Sequence, residues 1–211
     1  MPMNAKIKLH WIGLIGLFGC QVLATQPSTS TKPFLPPGLE IKGKLINQIR
    51  FQDKLGKHVL VIALDSAGEF GEDGFKSQIT AVQCLETSSV CKKEWKLRDF
   101  NSNQLESIGY DSKSLVAKDW DGDGRIDAMF WYYKTCDGMD PDTLKLMVYT
   151  QGKKLAVRGL VPKMAEDRSQ FERILDPAFK AAPKAFEQVA IAKWDSLVQN
   201  QLNLWRTKVG E

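Results

Sequence analysis

The sequence predicts an α+β fold, in which a mainly antiparallel β-sheet domain carries C-terminal helices packed on it. From about residue 45 to residue 158, short runs of apolar and β-branched residues alternate with turn residues, as in antiparallel strands. After Pro162 the apolar residues recur at three- and four-residue spacing, the pattern of a helix with one apolar face. With 211 residues and 43% apolar content, the chain is long enough to bury a core.

Strands account for most of the predicted domain. The turn residues of Asp53–Gly56 predict a hairpin between the first two strands, and Gln151-Gly152 predicts a turn between the last two. The glycine- and acid-rich stretch Asp65–Gly74 is predicted as a surface loop. The predicted strands are Leu45–Phe51, Val59–Leu64, Ile79–Leu85, Glu94–Phe100, Ile126–Tyr133, Leu144–Thr150 and Lys153–Arg158.

Helical structure is predicted over about residues 166–207. A short helix is expected over Glu166–Leu175, and Asp176 followed by Pro177 has the residues of a helix start. A longer helix is expected after Pro183, with one apolar face packed on the sheet. That face consists of Phe186, Val189, Ala190, Trp194, Leu197, Val198 and Trp205.

The first 24 residues have the organisation of an export signal, because two lysines precede an apolar run, residues 11–18, that is too short to span a bilayer. Two cleavage patterns remain open. Val22 and Ala24 suit ordinary signal peptidase, whereas the residues ending at Cys20 resemble a bacterial lipoprotein box, which implies lipidation of that cysteine. Retention of the run as a membrane anchor is the disfavoured alternative. We expect an exported protein, periplasmic or attached to the envelope, that meets a membrane only through a lipid anchor.

The rest of the chain divides into a linker and a single domain. Residues 25–38 are rich in Pro, Ser and Thr, which predicts an extended linker. Residues 39–211 are predicted to form one β-rich domain with a helical C-terminal segment.

Composition excludes two function classes. Lys and Arg exceed Asp and Glu by only 29 to 25, and the surplus is dispersed, so no nucleic-acid partner is expected. His58 is the single histidine after the predicted signal, which argues against a histidine-based triad or a multi-histidine zinc site. No set of nucleophile, base and orienting residue can be assembled from the sequence, and a catalytic role is therefore not favoured.

One segment carries specific chemistry, because residues 119–127 place aspartates at loop positions one, three, five and nine, with Gly124 at position six. These carboxylates repel one another unless a cation neutralises them, and hard oxygen donors select Ca²⁺. The predicted Ca²⁺ ligands are the side chains of Asp119, Asp121, Asp123 and Asp127 and the carbonyl oxygen of Arg125. Position twelve is Phe130 instead of glutamate, so the loop is not an EF-hand. An unoccupied acidic turn is the alternative.

The spacing of these aspartates resembles the calcium loops of FG-GAP and VCBS repeats, in which an Asp-x-Asp-x-Asp-Gly-x-x-Asp run links two strands. A wider resemblance, over about residues 45–195, is to a family of exported bacterial proteins loosely labelled surface-polysaccharide biosynthesis proteins, and it implies an envelope protein linked to surface polysaccharide. It rests on the Asp53–Gly56 hairpin, Trp95, Asp99-Phe100, the aspartate loop, Lys134–Gly138, Pro141, Lys145-Leu146, Lys154, Ala156, Arg158 and Gly159.

The cysteines that follow the predicted signal are Cys84, Cys91 and Cys136. The first two bracket six residues between predicted strands, so a disulfide between them is expected, contributing roughly 2.5 kcal/mol through loop closure. Pairing of either one with Cys136 remains open, and a catalytic Cys136 is the sharper alternative.

Two groups of side chains suggest ligand contacts. Lys145, Lys154 and Arg158 are predicted to form a cationic strip on one sheet face, where they would contact an anionic glycan; ordinary charge on a solvated face is the alternative. The aromatic run Trp131–Tyr133 offers rings for stacking on sugars, with packing in the core as the alternative.

Two functions remain open. The first is a non-catalytic, Ca²⁺-stabilised binding or assembly protein of the cell envelope, whose partner is an anionic glycan or an envelope protein. The second is a metal-dependent envelope hydrolase or glycan-modifying enzyme that uses the aspartate loop with Asp137 or Asp140 as general base. A cavity beside the loop would favour the enzyme, and a closed loop on a convex surface would favour the binding protein.

Overall fold

The structure is a computed structural model, and it describes residues 25–29, 34–66, 77–101, 106–136, 140–163 and 171–209, with side chains from 34 to 204 within these ranges. The predicted signal, residues 1–24, lies outside the described residues. The same holds for most of the predicted loop Asp65–Gly74, whose first two residues end a strand.

The first sheet is a five-stranded antiparallel meander. Its strands lie in chain order, and the predicted hairpin joins the second and third, with Asp53 paired to Gly56. Each strand that the sequence predicts for this sheet is present. The strands are β1 (Thr25–Thr29), β2 (Lys44–Asp53), β3 (Gly56–Ser66), β4 (Ser77–Glu86) and β5 (Cys91–Phe100).

The second sheet has six strands in the order β11-β10-β9-β8-β6, and β7 also pairs with β8. Gln151 and Gly152 take positive φ in the turn between β9 and β10, as a two-residue hairpin requires. The three-residue strands β6 and β7 were not predicted, because such short segments show no alternation. The strands are β6 (Ser107–Gly109), β7 (Val116–Lys118), β8 (Asp127–Thr135), β9 (Asp142–Thr150), β10 (Lys153–Val161) and β11 (Ile174–Leu175).

The two sheets pack face to face, and alternate residues of each strand fill the core between them. Trp95 on β5 stacks on Tyr149 of β9, with ring centroids 3.6 Å apart. The ring of Phe130 on β8 is nearly parallel to both, with its centroid 6.1 Å from that of Tyr149 and 6.5 Å from that of Trp95. Leu60 and Ile62 of β3 are fully buried in the same core.

A long helix, α1 (Lys184–Val209), covers the other face of the second sheet. Phe186, Ala190 and Trp194 are fully buried there, and Leu197 and Val198 pack beside them, so the predicted apolar face is confirmed for these residues. The side chain of Trp205 lies outside the described residues. Together the sheets and helix confirm the α+β class.

The helix predicted over Glu166–Leu175 is wrong at its C-terminal end. Ile174 and Leu175 form β11, which pairs with Arg158 and Val157 of β10. Gly159 permits the approach, because a Cβ there would lie 1.8 Å from the carbonyl oxygen of Glu172. Pairing covers the open edge of β10. Residues 164–170 lie outside the described residues. Asp176 caps a 3-10 helix, Pro177–Ala181.

Part of the segment that the sequence predicts as a linker, residues 25–38, pairs with the first sheet. Thr25–Thr29 pairs with β2 as β1, with a register shift around Pro27, where an edge strand tolerates proline. Further along, the Phe34 N–H donates to Gln48 Oε1 at 3.1 Å, and the Phe34 carbonyl accepts from Gln48 Nε2 at 3.0 Å. The folded part therefore begins before Leu39. The backbone edge of β2 pairs with β1, and the buried Gln48 side chain holds Phe34.

Candidate metal centre

The aspartate loop connects β7 to β8, and its own backbone amides fold the acids inward. Asp119 accepts from the N–H groups of Gly122 at 2.7 Å and Gly124 at 2.9 Å. Asp127 accepts from the Trp120 N–H at 3.1 Å and so closes the loop. Gly122 and Gly124 have φ of 75° and 79°, a conformation that glycine adopts without strain. The glycine at position six is thus required by the turn, as the sequence predicts.

Three of the predicted ligands converge. One carboxylate oxygen from each of Asp119, Asp121 and Asp127 lies within 4.8 Å of the other two. Asp127 is 2% exposed, and burial together with the charges of Asp121 and Asp119 raises its pKa to about 7. The cluster therefore places carboxylates at a separation that a single cation can bridge, in surroundings that penalise their uncompensated charge.

The Asp123 side chain does not belong to this group of three carboxylates. The Asp123 carboxylate accepts from the Arg125 N–H at 2.7 Å and from Gln151 Nε2 at 2.8 Å. Gln151 belongs to the turn between β9 and β10, so Asp123 ties the loop to that turn. Of the predicted ligand set, the structure therefore brings together Asp119, Asp121 and Asp127, and it gives the Asp123 side chain a bridging contact.

The hairpin turn between β2 and β3 also holds the aspartate loop in place. Asp53 Oδ2 accepts from the Ile126 N–H at 3.0 Å, and the Lys54 N–H donates to the Gly124 carbonyl at 3.3 Å. Lys54 Nζ also donates to the carbonyl oxygen of Asp123. The loop is thereby fixed to both sheets, a role for the hairpin that the sequence analysis missed although Asp53 and Lys54 carry the polar groups.

Next to the hairpin lies a cluster of charged groups built on the buried His58. Its Nε2 lies 3.0 Å from Asp53 Oδ1 and its Nδ1 2.9 Å from Glu94 Oε2, and Gln83 Nε2 donates to the same Glu94 oxygen at 2.9 Å. Burial alone would lower the pKa of His58, but the hydrogen bonds and charges of Glu94 and Asp53 outweigh it and raise the pKa. Burial is likewise outweighed at both carboxyl groups, whose pKa values are lowered.

The sequence analysis missed this cluster because it treats His58 only as a catalytic or metal-binding candidate. The available signal was its position: His58 alternates with Leu60 and Ile62 on the inward side of β3. A polar residue at an inward position requires partners when buried. Asp53, two residue pairs closer to the turn of the same hairpin, is one of them.

The predicted disulfide is confirmed. Cys84 and Cys91 are bonded across the turn between β4 and β5, with Cα atoms 5.5 Å apart. Cys136 is a half-buried free cysteine. Its carbonyl oxygen accepts from Lys163 Nζ at 3.0 Å. The open alternatives in which Cys136 pairs with either of the other cysteines are therefore resolved in favour of Cys84–Cys91.

The three predicted cationic residues share one face, but that face looks toward the first sheet. Lys145 lies directly opposite Arg158 in the register, on the side of Met147 and Tyr149 that faces the inter-sheet core. Lys145 Nζ donates to Asp99 Oδ2 at 2.6 Å, and Arg158 Nη1 lies 3.9 Å from Asp176 Oδ2. Lys154, at the end of β10, is exposed. Carboxylates thus balance two of the three charges.

At least two cavities lie among the described residues. One, of about 760 Å³, lies between the second sheet and α1, and the other, of about 360 Å³, lies between the β9–β10 turn and the 3-10 helix. Neither is lined by a residue of the aspartate loop. Of the general bases suggested for an enzyme, Asp137 lies outside the described residues and Asp140 is exposed.

Comparison with models of known protein families, with curated proteins and with solved structures finds no match. Within the residues that the structure describes, no helix is both long and apolar enough to cross a membrane. The fold and site thus define a two-sheet antiparallel sandwich with a covering helix, a cluster of three carboxylates at one end and one disulfide.

Proposed function

We propose that this is an exported, non-catalytic binding or assembly protein of the cell envelope, stapled by one Ca²⁺ at the aspartate loop. The convergence of Asp119, Asp121 and Asp127, with Asp127 buried, carries the proposal. All the side-chain donors are oxygen atoms, which Ca²⁺ prefers and which softer metals do not. Waters complete the coordination shell, so we expect an affinity in the roughly 10⁻⁴ M range of extracellular modules.

Two observations support a structural role for the ion. Contacts of Asp53, Lys54 and Gln151 tie the loop to turns of both sheets, so an ion that orders the loop would also stabilise its contacts with these turns. Neither of the two cavities described above is lined by a residue of the loop, whereas a metal-dependent hydrolase needs space for substrate beside its ion. These observations favour the binding or assembly protein over the enzyme.

Export is supported by the disulfide, because such bonds persist in oxidising compartments and Cys84–Cys91 is formed. The charged and then apolar N-terminal sequence supports it independently. Cell fractionation with N-terminal sequencing tests this part of the proposal, and labelling with a lipid precursor decides whether Cys20 is acylated. Cytoplasmic protein that retains residues 1–24 would contradict export.

Thermal unfolding with and without calcium tests the staple. Free Ca²⁺ at 100 times its dissociation constant should stabilise the fold by about 2.7 kcal/mol, a rise in Tm of about 5–10 °C for a chain of this size. Mg²⁺ should act weakly, because it demands a tight octahedral shell. Equal Tm values in millimolar Ca²⁺ and in chelator would contradict the proposal.

Matched variants test whether the calcium-dependent rise in Tm arises at the aspartate loop. Asp121→Asn keeps the size of the side chain but removes a charged ligand, so it should abolish most of the calcium-dependent rise. Asp195→Asn is the control, because Asp195 lies on α1 and pairs with Arg173, away from the loop. A calcium response that survives Asp121→Asn unchanged would place the ion elsewhere.

A further inference from the structure

A groove between the outer face of the second sheet and α1 has the features of a ligand site. Its volume of about 760 Å³ lies within the roughly 300–1,000 Å³ range of small-molecule pockets. Strands β6, β8 and β9 form its floor, and the last described turns of α1 form one wall. Its main contributors are Gly109, Tyr133, Asp142, Asn200 and Gln201.

Tyr133 provides an aromatic surface on the floor. Alternation along β8 points Tyr132 inward, where its hydroxyl donates to Asp99, and leaves Trp131 and Tyr133 on the groove side. Lys193 Nζ lies 4.0 Å from the centroid of the Trp131 ring and covers it, whereas Tyr133 is only half-buried. Burial raises the pKa of Tyr133 to about 12, so its hydroxyl remains a neutral donor at physiological pH.

The Tyr133 ring is accessible because its neighbour on the edge strand β6 is a glycine. Gly109 is the register partner of Tyr133 across the β6–β8 pair. A Cβ at Gly109 would meet nothing within 4 Å, so the space beside the ring is open. Glycine is not required there by a positive φ, and a larger residue would fill the groove without backbone strain.

Polar groups surround this ring. Asp142 is 8% exposed and accepts from Gln201 Nε2 on α1 at 2.8 Å, and Lys163 Nζ lies 3.6 Å from its other oxygen. Asn200 adds an exposed amide on the helix wall. Amide, hydroxyl and carboxylate groups are thus held around one aromatic surface by a strand and a helix that are fixed to each other.

We propose that this groove binds a neutral oligosaccharide. Sugar rings present an apolar face that packs on aromatic rings, and their hydroxyls pair with amides and carboxylates. An anionic ligand is disfavoured, because the described lining includes Asp111 and Asp142 and no Lys, Arg or His. A lipid is disfavoured by the same polar groups, which would lose hydrogen bonds to water without replacement.

The site is separate from the aspartate loop. None of its described lining residues belongs to residues 119–127, so the inference goes beyond the proposed calcium staple. The two can fail independently, because binding to the groove is measured by sugar titration and the staple by calcium-dependent melting.

Titration of the isotope-labelled, calcium-loaded protein, followed by NMR, tests the proposal. The probes are hexamers of α-1,4-glucose, β-1,4-glucose and β-1,4-N-acetylglucosamine at millimolar concentration, with the glucosamine and galacturonate hexamers as cationic and anionic counterparts. At least one neutral hexamer should shift the amides of Gly109 and Thr135 and the Trp131 indole in a saturable manner. The charged counterparts should shift them less. Absence of such shifts with every neutral hexamer would overturn the proposal.

Variants confirm the location. Gly109→Trp should weaken binding about tenfold or more, equivalent to at least about 1.4 kcal/mol, because the indole occupies the space beside Tyr133. Gln52→Trp, at an exposed position of the first sheet, is the bulk-matched control and should bind like the wild type. Asn200→Ala provides a second groove variant on an exposed helix position and should weaken binding several-fold. Unchanged binding by both groove variants, or stronger binding of a charged hexamer, would overturn the proposal.

Discussion

The Asp53→Asn substitution should lower the free energy of unfolding by about 3–5 kcal/mol, the range for breaking a buried ion pair. The Asp53 side chain is 3% exposed. It accepts from the Leu55 N–H at 2.7 Å, the Ile126 N–H at 3.0 Å and His58 at 3.0 Å. Asparagine has the same shape, but one of its two terminal groups is a donor, so at least one of these three donors faces another donor.

Two effects contribute to this loss. A hydrogen bond to a charged group contributes about 1.5–3 kcal/mol, and a buried donor left without an acceptor costs about 1–3 kcal/mol. The same substitution leaves His58 with Glu94 as its remaining carboxylate partner. Because Asp53 also holds Ile126, the residue before Asp127, the variant should show a smaller calcium-dependent rise in Tm than the wild type.

Urea unfolding at neutral pH measures the loss, and Asp195→Asn is the matched control. Asp195 lies 2.6 Å from Arg173, but its side chain is 58% exposed, and exposed pairs contribute at most about 1 kcal/mol. The buried Asp53–His58 pair should therefore contribute more to the free energy of unfolding than the exposed Asp195–Arg173 pair, although the distance between its charged atoms is longer. Loss of less than about 1 kcal/mol for Asp53→Asn, equal to the control, would refute the reasoning.

Two further predictions concern the same sheet. Replacing both Cys84 and Cys91 by Ser should lower the free energy of unfolding by about 2.5 kcal/mol through loop closure, and unchanged urea midpoints would contradict this. The contribution of His58, whose pKa is raised, should be full below its ordinary pKa of 6.5 and lost as pH rises past the raised pKa. That of Asp53 and Glu94, whose pKa values are lowered, should be lost as pH falls through those lowered values. Urea midpoints across pH, compared between the wild type and His58→Gln, check this; a pH-independent difference would contradict it.

The periodicity of the sequence determined most of the fold. Alternation with a period of two predicts the seven long strands, and spacing of three and four predicts the helix that follows Pro183. These signals are local, because a strand or helix repeats its burial pattern within its own length. Short strands such as β6 and β11 carry too few residues to show a period, and their formation depends on an open edge beside them.

Local spacing in the sequence also determined two chemical features of the structure, the turn of the aspartate loop and the Cys84–Cys91 disulfide. The aspartates of the loop lie close in sequence, and their backbone contacts span at most seven residues, so the turn follows from the segment itself. Cys84 and Cys91 have a sequence separation of 7. Both therefore need little information from the rest of the chain.

Tertiary structure decided which charges meet. Asp53 and Ile126 are 73 positions apart, His58 and Glu94 are 36 apart, and Lys145 and Asp99 are 46 apart. The first and third contacts depend on how the two sheets are placed against each other, and the second depends on the order of the strands within the first sheet. No single segment encodes either. Packing also places Lys145 beside a carboxylate and the Asp123 side chain outside the cluster, and it forms the groove beside Tyr133. The surroundings of these side chains follow from strand register and packing across the whole domain.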